Sequence, residues 1–248
     1  VLASVKFGVI VFPGSNCDRD VAYVTRDLLG QQTRMVWHED SDLSDIDVVV
    51  IPGGFSYGDY LRCGAIAQFS PAMRSVVEHA RQGRYVLGIC NGFQVLTEVG
   101  LLPGALMRNR DLHFICDRVP LTVERTDLPW THHYQPSEII TIPIAHGEGC
   151  YYADEKTLAE LEANHQVLFR YCNPGHQSQN SWDSSNNPNG SIHNIAGICN
   201  LGGNILGMMP HPERASDPML GSVDGLRLFQ GVLTTLGLES SRIESLIA

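Results

Sequence analysis

Long apolar runs are missing from this 248-residue sequence: no stretch of about 18 apolar residues occurs, so no membrane-spanning helix is expected. The start also lacks the charged, apolar and small-residue order of a secretory signal. Charged residues make up only 18%, and the formal net charge is −10, without a block of like charge. No basic face is visible, which argues against a nucleic-acid-binding role. Seven cysteines are present, an odd number, and no C-x-x-C pair occurs among them. A disulfide framework and a zinc ribbon are therefore both disfavoured, and reduced thiols in a cytoplasmic protein are the simpler expectation. There is no internal repeat. What remains is a chain that is 43% hydrophobic, enough to bury a core, and it is expected to form one domain over residues 1–248. Residues 1–5 read as a lead-in outside the fold.

Short apolar runs rich in β-branched residues recur through the first half. Lys6–Phe12, Thr33–Trp37, Asp47–Ile51 and Arg84–Ile89 read as strands. Between them, Asp18–Leu29, Ser70–Gln82 and Gly92–Val99 have helical spacing. Ser70 is a candidate N-cap, with Pro71 in the first turn. Alternation of this kind predicts an α/β fold with a mostly parallel central sheet flanked by helices. Such folds carry their sites at the carboxyl ends of strands. The loops after Phe12, Ile51 and Ile89 are thus the places to look.

The second half is less regular. His113–Val123 and Ile139–Ile144 read as strands, and Ile195–Ile198 and Ile205–Met209 as a hairpin around Asn200–Asn204. Asp224–Leu236 reads as a last helix. Residues 173–190, rich in Asn, Ser, Gly and Pro, read as a polar surface loop.

One segment carries chemistry. Gly88-Ile89-Cys90-Asn91-Gly92 has the form G-x-nucleophile-x-G between a strand and a helix, the context of a nucleophile elbow. The glycines allow the sharp turn, which is expected to push Cys90 toward solvent. The helix N-terminus favours negative charge on it. A buried packing thiol is the usual reading of a cysteine, but flanking glycines on both sides are hard to explain by packing alone. A base and an orienting acid are then required. His211-Pro212-Glu213 follows the strand ending at Met209, so His211 and Glu213 are the candidates. A solvated Pro-rich loop explains that spacing equally well. Backbone N–H groups of the loop Pro52-Gly53-Gly54-Phe55-Ser56 and of Asn91 are the candidate oxyanion donors. Gln94, one helical turn past Cys90, lies on the same face.

Gly88-Ile89-Cys90-Asn91-Gly92-Phe93-Gln94 resembles the G-x-C-x-G-x-Q signature of class I, triad-type glutamine amidotransferases, and His211-Pro212-Glu213 resembles their H-P-E. Residues 12–18, residues 52–62, Asn109-Arg110 and Ala145-His146-Gly147-Glu148-Gly149 further resemble the glutaminase subunits of phosphoribosylformylglycinamidine synthases. The resemblance implies a flavodoxin-like fold and a Cys90 glutamyl thioester. It implies His211 as proton relay with Glu213 orienting it, and an oxyanion hole at Gly54 and Asn91. Gln94, His146, Gly147 and Glu148 would hold glutamine. No metal or cofactor is implied for this chain. ATP and magnesium would belong to a partner synthetase subunit of purine biosynthesis, accompanied by a small accessory subunit. A glutaminase for another synthetase, a cysteine hydrolase on the same scaffold, and a non-catalytic module are the competing expectations.

Overall fold

The structure is a computed structural model and describes residues 4–174 and 187–238. The four apolar runs of the first half form β1 (Lys6–Val11), β2 (Gln32–Trp37), β3 (Val48–Ile51) and β4 (Tyr85–Ile89). The helix expected over 18–29 begins as α1 (Asp18–Ala22) and widens over Tyr23–Leu28, where the Leu29 amide reaches back to the Val24 carbonyl. Then come α2 (Pro71–Arg81) and α3 (Asn91–Glu98). The Ser70 hydroxyl accepts the Met73 amide at 3.2 Å. A cap of this type contributes about 1 kcal/mol.

The second half supplies β5 (Ala105–Met107), β6 (Ile115–Val123), β7 (Ile139–His146), β8 (Cys150–Tyr152), α4 (Glu155–Ala163), β9 (Val167–Tyr171), β10 (Ile195–Cys199), β11 (Ile205–Met208) and α5 (Leu226–Thr235). The main sheet runs β2-β1-β3-β4-β11-β10-β9-β6-β7, and β5 pairs with β8 in a small second sheet. Pairings from β2 through β4 to β11 are parallel. Those from β11 outward to β7 are antiparallel. The predicted parallel sheet is therefore the half that carries β1, β3 and β4, extended by an antiparallel half. Alternation of direction returns β7 to the same sense as β4. The carboxyl ends of β1, β3, β4, β11 and β7 consequently lie along one edge.

Two expectations are corrected. Val5, placed in the lead-in, is fully buried; its amide binds the Gln31 side chain, and its carbonyl receives the Gln32 amide. The end of the expected surface loop is also buried. Asn187 and Asn189 are interior, because the Asn189 amide binds the Gly149 carbonyl and the Tyr171 hydroxyl. Residues 175–186 of that loop lie outside the described residues. No helix among the described residues is long and apolar enough to cross a membrane.

Candidate active site

Cys90 sits between the end of β4 and the start of α3 with φ +51° and ψ −106°. A non-glycine residue rarely adopts that conformation, and it stores of order 1–3 kcal/mol of strain. The flanking glycines make the turn possible. A Cβ on Gly92 would collide with the Ile51 carbonyl oxygen, and one on Gly88 would stand 2.7 Å from the Gly92 carbonyl oxygen. The elbow is thus as expected, but its side chain does not face solvent. Cys90 is buried, its Sγ 3.7 Å from the Ala145 carbonyl, because the end of β7 and the Gly53 turn close over it.

His211 arrives from β11. Its backbone amide binds the Pro143 carbonyl on β7 at 2.8 Å, which fixes the chain against the same edge. Pro212–Ala215 then form a tight 3-10 turn, and this turn, not an extended chain, brings Glu213 to the ring. Glu213 Oε1 lies 2.6 Å from His211 Nδ1, and both residues are buried. Among the described residues Glu213 Oε2 has no hydrogen-bond partner, while the His211 ring also faces the Cys17 and Cys90 sulfurs. Burial alone would push the His211 imidazole down. The charges of Glu213 and Cys90, and the nearby Cys17 and Cys90 sulfurs, outweigh it and hold the imidazole well above its usual value. Gly53 is the floor of this cluster: a Cβ there would stand 2.7 Å from His211 Cε1 and 3.4 Å from Cys90 Cβ. The geometry thus brings together a nucleophilic thiol, an imidazole and an orienting carboxylate.

The glycine turn after β3 is bound to the elbow. Asn91 Oδ1 accepts the Ser56 amide at 3.1 Å and also the Ser56 hydroxyl. Gly54 has φ +148°, and a Cβ on it would stand 2.6 Å from the Asn16 amide nitrogen. Only glycine fits there, against the loop after β1. The Asn91 amide, in the first turn of α3, has no intrahelical acceptor. Asn91 follows Cys90 directly, and Gly54 lies in the turn whose Gly53 backs onto Cys90.

Gln94 is buried, and its amide is already engaged. Nε2 donates to the Glu148 carbonyl at 2.6 Å, and Oε1 accepts from Asn91 Nδ2 at 2.9 Å. It ties α3 to the turn after β7. The Glu148 carboxylate pairs with Arg108 at 3.5 Å. Gly147 lies in the same turn, and its carbonyl accepts the Asn109 amide at 2.9 Å.

The His146 side chain points into the protein. Its Nδ1 lies 3.1 Å from Asn109 Oδ1, while Asn189 Nδ2 approaches Nε2 at 3.4 Å. These partners assign a neutral ring protonated on Nδ1. Burial, then the positive His211, push its pKa down to about 4. Because the folded state holds this proton less tightly than the unfolded chain, the unfolded state gains protons as pH falls below about 6.5. His146 should therefore cost about 2 kcal/mol of stability on moving from pH 8 to pH 5. Urea denaturation of wild type and His146→Gln at both pH values checks this: the variant should lose less stability across the interval.

Several supports had no role assigned from sequence, although Asn109 and Cys17 lie in segments that carry the resemblance. Asn109 binds four groups at once: the carbonyls of His113 and His146, the His146 ring and the Gly149 amide. Each buried group left unpaired costs about 1–3 kcal/mol. Asn109→Ala should destabilise the fold by about 3 kcal/mol and raise KM for the bound substrate, measurable by denaturation and steady-state kinetics. The contact between Cys17 and Arg214 was not foreseen either. Arg214 donates to Cys17 Sγ at 3.0 Å and to Asp20 at 3.2 Å. Nothing in local spacing could reveal this, since Cys17 and Arg214 are 197 residues apart. Among the other cysteines, burial pushes Cys150, Cys172 and Cys199 up, and burial together with Glu148 and Asp59 pushes Cys63 up.

A strained thiol at a strand–helix elbow, with a buried His–Glu pair and a glycine turn, defines a triad-type glutamine amidotransferase. The chain belongs to that family: the profile of the CobB/CobQ-like glutamine amidotransferase domain matches residues 4–225. Within it, the chain is 72% identical to phosphoribosylformylglycinamidine synthase subunit PurQ of Acaryochloris marina, over 93% of this chain and 97% of that protein. The subunit of the same name from Synechocystis is 65% identical over 90% of this chain and 98% of its own length. Among solved structures, that of PurLQS from Thermotoga maritima matches with a TM-score of 0.81 at 40% identity. It covers 94% of this chain and 99% of the matched one.

Proposed function

We propose that this chain is the glutaminase subunit of a phosphoribosylformylglycinamidine synthase. The observation that carries this reading is the site itself, an elbow Cys90 beside a buried His211–Glu213 pair, in a chain with PurQ subunits as relatives over almost its full length. With the proton already on His211, the Cys90 thiolate attacks the side-chain carbonyl carbon of glutamine. The C=O electrons move onto oxygen, which the Gly54 and Asn91 amides receive. Collapse of this adduct breaks the C–N bond, and the His211 imidazolium gives its proton to the departing nitrogen. Ammonia leaves and a glutamyl thioester remains. Water, losing a proton to His211, attacks the thioester, and glutamate and the Cys90 thiolate are regenerated. Glu213 holds the ring so that Nε2 faces the reaction throughout.

Gln94 acts here by holding the Glu148 turn rather than by free amide groups. His146, Gly147 and Glu148 form the wall against which the α-amino and α-carboxyl groups of glutamine lie. No metal or cofactor is required by these steps. Ammonia passes to a synthetase subunit that makes formylglycinamidine ribonucleotide with ATP and magnesium, a small accessory subunit completing a cytoplasmic complex. The solved PurLQS assembly supports such partners. Mixing the purified chain with its synthetase and accessory subunits tests this. Glutamate release should rise at least roughly tenfold on assembly, and it should be matched by amidine formation. Glutamine turnover indifferent to those partners would point instead to a stand-alone hydrolase.

A further inference from the structure

Cys17 has no part in the steps above, yet its sulfur lies against their base. The residue is buried at the start of α1, where its side chain makes no capping hydrogen bond. Its place is set by the backbone: its amide and that of Asn16 bind the Gly53 carbonyl, at 3.1 and 3.2 Å. The Cys17 sulfur consequently stands 3.1 Å from the point that a Cβ on Gly53 would occupy. His211 Cε1 approaches that same point at 2.7 Å and Cys90 Cβ at 3.4 Å. Glycine at position 53 is therefore what lets both cysteines reach one ring. The Cys17 sulfur also accepts an N–H of Arg214 at 3.0 Å, and Asp20 accepts a second N–H of that guanidinium at 3.2 Å. A charge-assisted contact of this kind holds the sulfur in place.

We propose that Cys17 is a positioning residue, whose sulfur keeps the His211 ring aligned on the reacting centre while Cys90 is bonded to the glutamyl carbon. This rests on the triad reading above. Glu213 occupies Nδ1, so Nε2–H is the ring donor left to be directed. In the resting site the Cys90 thiolate directs it. Once Cys90 Sγ has bonded to glutamine that charge is gone, while the imidazolium must still carry its proton to the departing nitrogen. The Cys17 sulfur remains against the ring through this step. Sulfur is a weak acceptor, so it steadies the ring without retaining the proton that has to be released. Burial lowers the proton affinity of the His211 ring, and the Glu213 and Cys90 charges together with the two sulfurs raise it above its usual value. The neutral His146 of β7 also lies within the field of the ring, and Arg214 and Asp20 stand beside Cys17.

Cys17→Ala and Cys17→Ser test this in the assembled synthase, with Cys90→Ser as the reference. Cys17→Ala should lower kcat for glutamine-dependent synthesis at least roughly fivefold and leave KM for glutamine within about twofold, since the loss falls on the adduct and not on binding. Cys17→Ser keeps a hydrogen-bond acceptor at the position and should recover more than about half of the wild-type kcat. Alkylation of Cys90 by iodoacetamide, followed on its own peptide by mass spectrometry, gives a readout that simple packing would not move. Its loss of imidazolium support should occur at a pH about half a unit or more lower in Cys17→Ala than in wild type, because one of the groups that raise the ring's proton affinity is gone. A Cys17→Ala enzyme with wild-type kcat, a fall in kcat with an unmoved alkylation profile, or a serine variant no better than alanine each overturns the proposal. Glutamine turnover by Cys90→Ser would instead remove the triad reading on which it rests.

Discussion

Replacing Cys90 by Ser should reduce glutamine-dependent synthesis by the assembled enzyme at least roughly a thousandfold, while ammonia-dependent synthesis stays near the wild-type rate. The serine hydroxyl is far less readily ionised than the thiol, and His211 is arranged for a thiolate partner, its own proton held by Glu213 and the sulfur charge. The fold should tolerate the change. Ser is similar in size, and the positive φ at position 90 is a property of the elbow that Cys90 already bears. Binding of glutamine should persist, because the turns proposed to receive it, Gly53–Ser56 and His146–Gly149, are held by Asn91, Gln94 and Asn109. Rates with glutamine and with ammonium salts, measured side by side on one preparation, separate loss of the nucleophile from loss of the complex.

Glu213→Gln carries the second large effect. Glu213 is almost completely buried, with one oxygen on the His211 ring at 2.6 Å and the other unpartnered. The amide is nearly isosteric but uncharged, and its NH₂ group can turn toward Nδ1 and select the wrong tautomer. By analogy with the Asp-to-Asn change in serine proteases, glutamine-dependent turnover should fall roughly a thousandfold or more. The imidazole should also lose its raised affinity for a proton, because the Glu213 charge is one of the causes that hold it up. The pH at which Cys90 alkylation loses its imidazolium support should therefore move downward in the variant. An unchanged alkylation profile would mean that Glu213 only packs against the ring.

The elements that place these groups were unevenly legible in the sequence. β1, β3 and β4 are apolar runs ended by Pro-Gly, Pro-Gly-Gly and the Cys90 elbow, and a parallel strand buried on both faces has no other pattern to show. The elbow was legible for a steric reason, since glycine is required at both 88 and 92 by the packing of α3 on β3 and β4. The antiparallel half was harder to read. β6 contains Asp117, Arg118 and Pro120 and is exposed along its first residues, while β9 buries Arg170 against Glu162 and Glu124. β6 alternates only over its second half, enough for His113–Val123 to read as a strand, whereas β9 is buried throughout and shows no period of two. α4, Glu155–Ala163, buries only Leu158 and Leu161, too little for a strong helical signal.

Site residues followed the same division. Cys90, Asn91 and Gln94 are neighbours in sequence, and His211 and Glu213 are two apart, so local pattern reached them. Asn109, Asn189 and Cys17 act through partners far along the chain. Asn189 looked like one more polar residue in a polar stretch, and only the fold of β7 and β8 turns its amide onto the Gly149 carbonyl. The exposure of Cys90 was misjudged for a related reason. An elbow predicts the direction of a side chain from its own strand and helix, whereas its cover comes from Ala145 and Gly53, on other elements.

Peptide mass spectrometry after labelling with a thiol-reactive glutamine analogue tests the central claim most directly, with the synthetase and accessory subunits present and absent. The analogue should modify Cys90 alone, faster in the complex, with glutamine protecting it. Modification at Cys17 or any other cysteine while Cys90 stays free, or no modification even in the complex, would contradict a glutaminase built on Cys90.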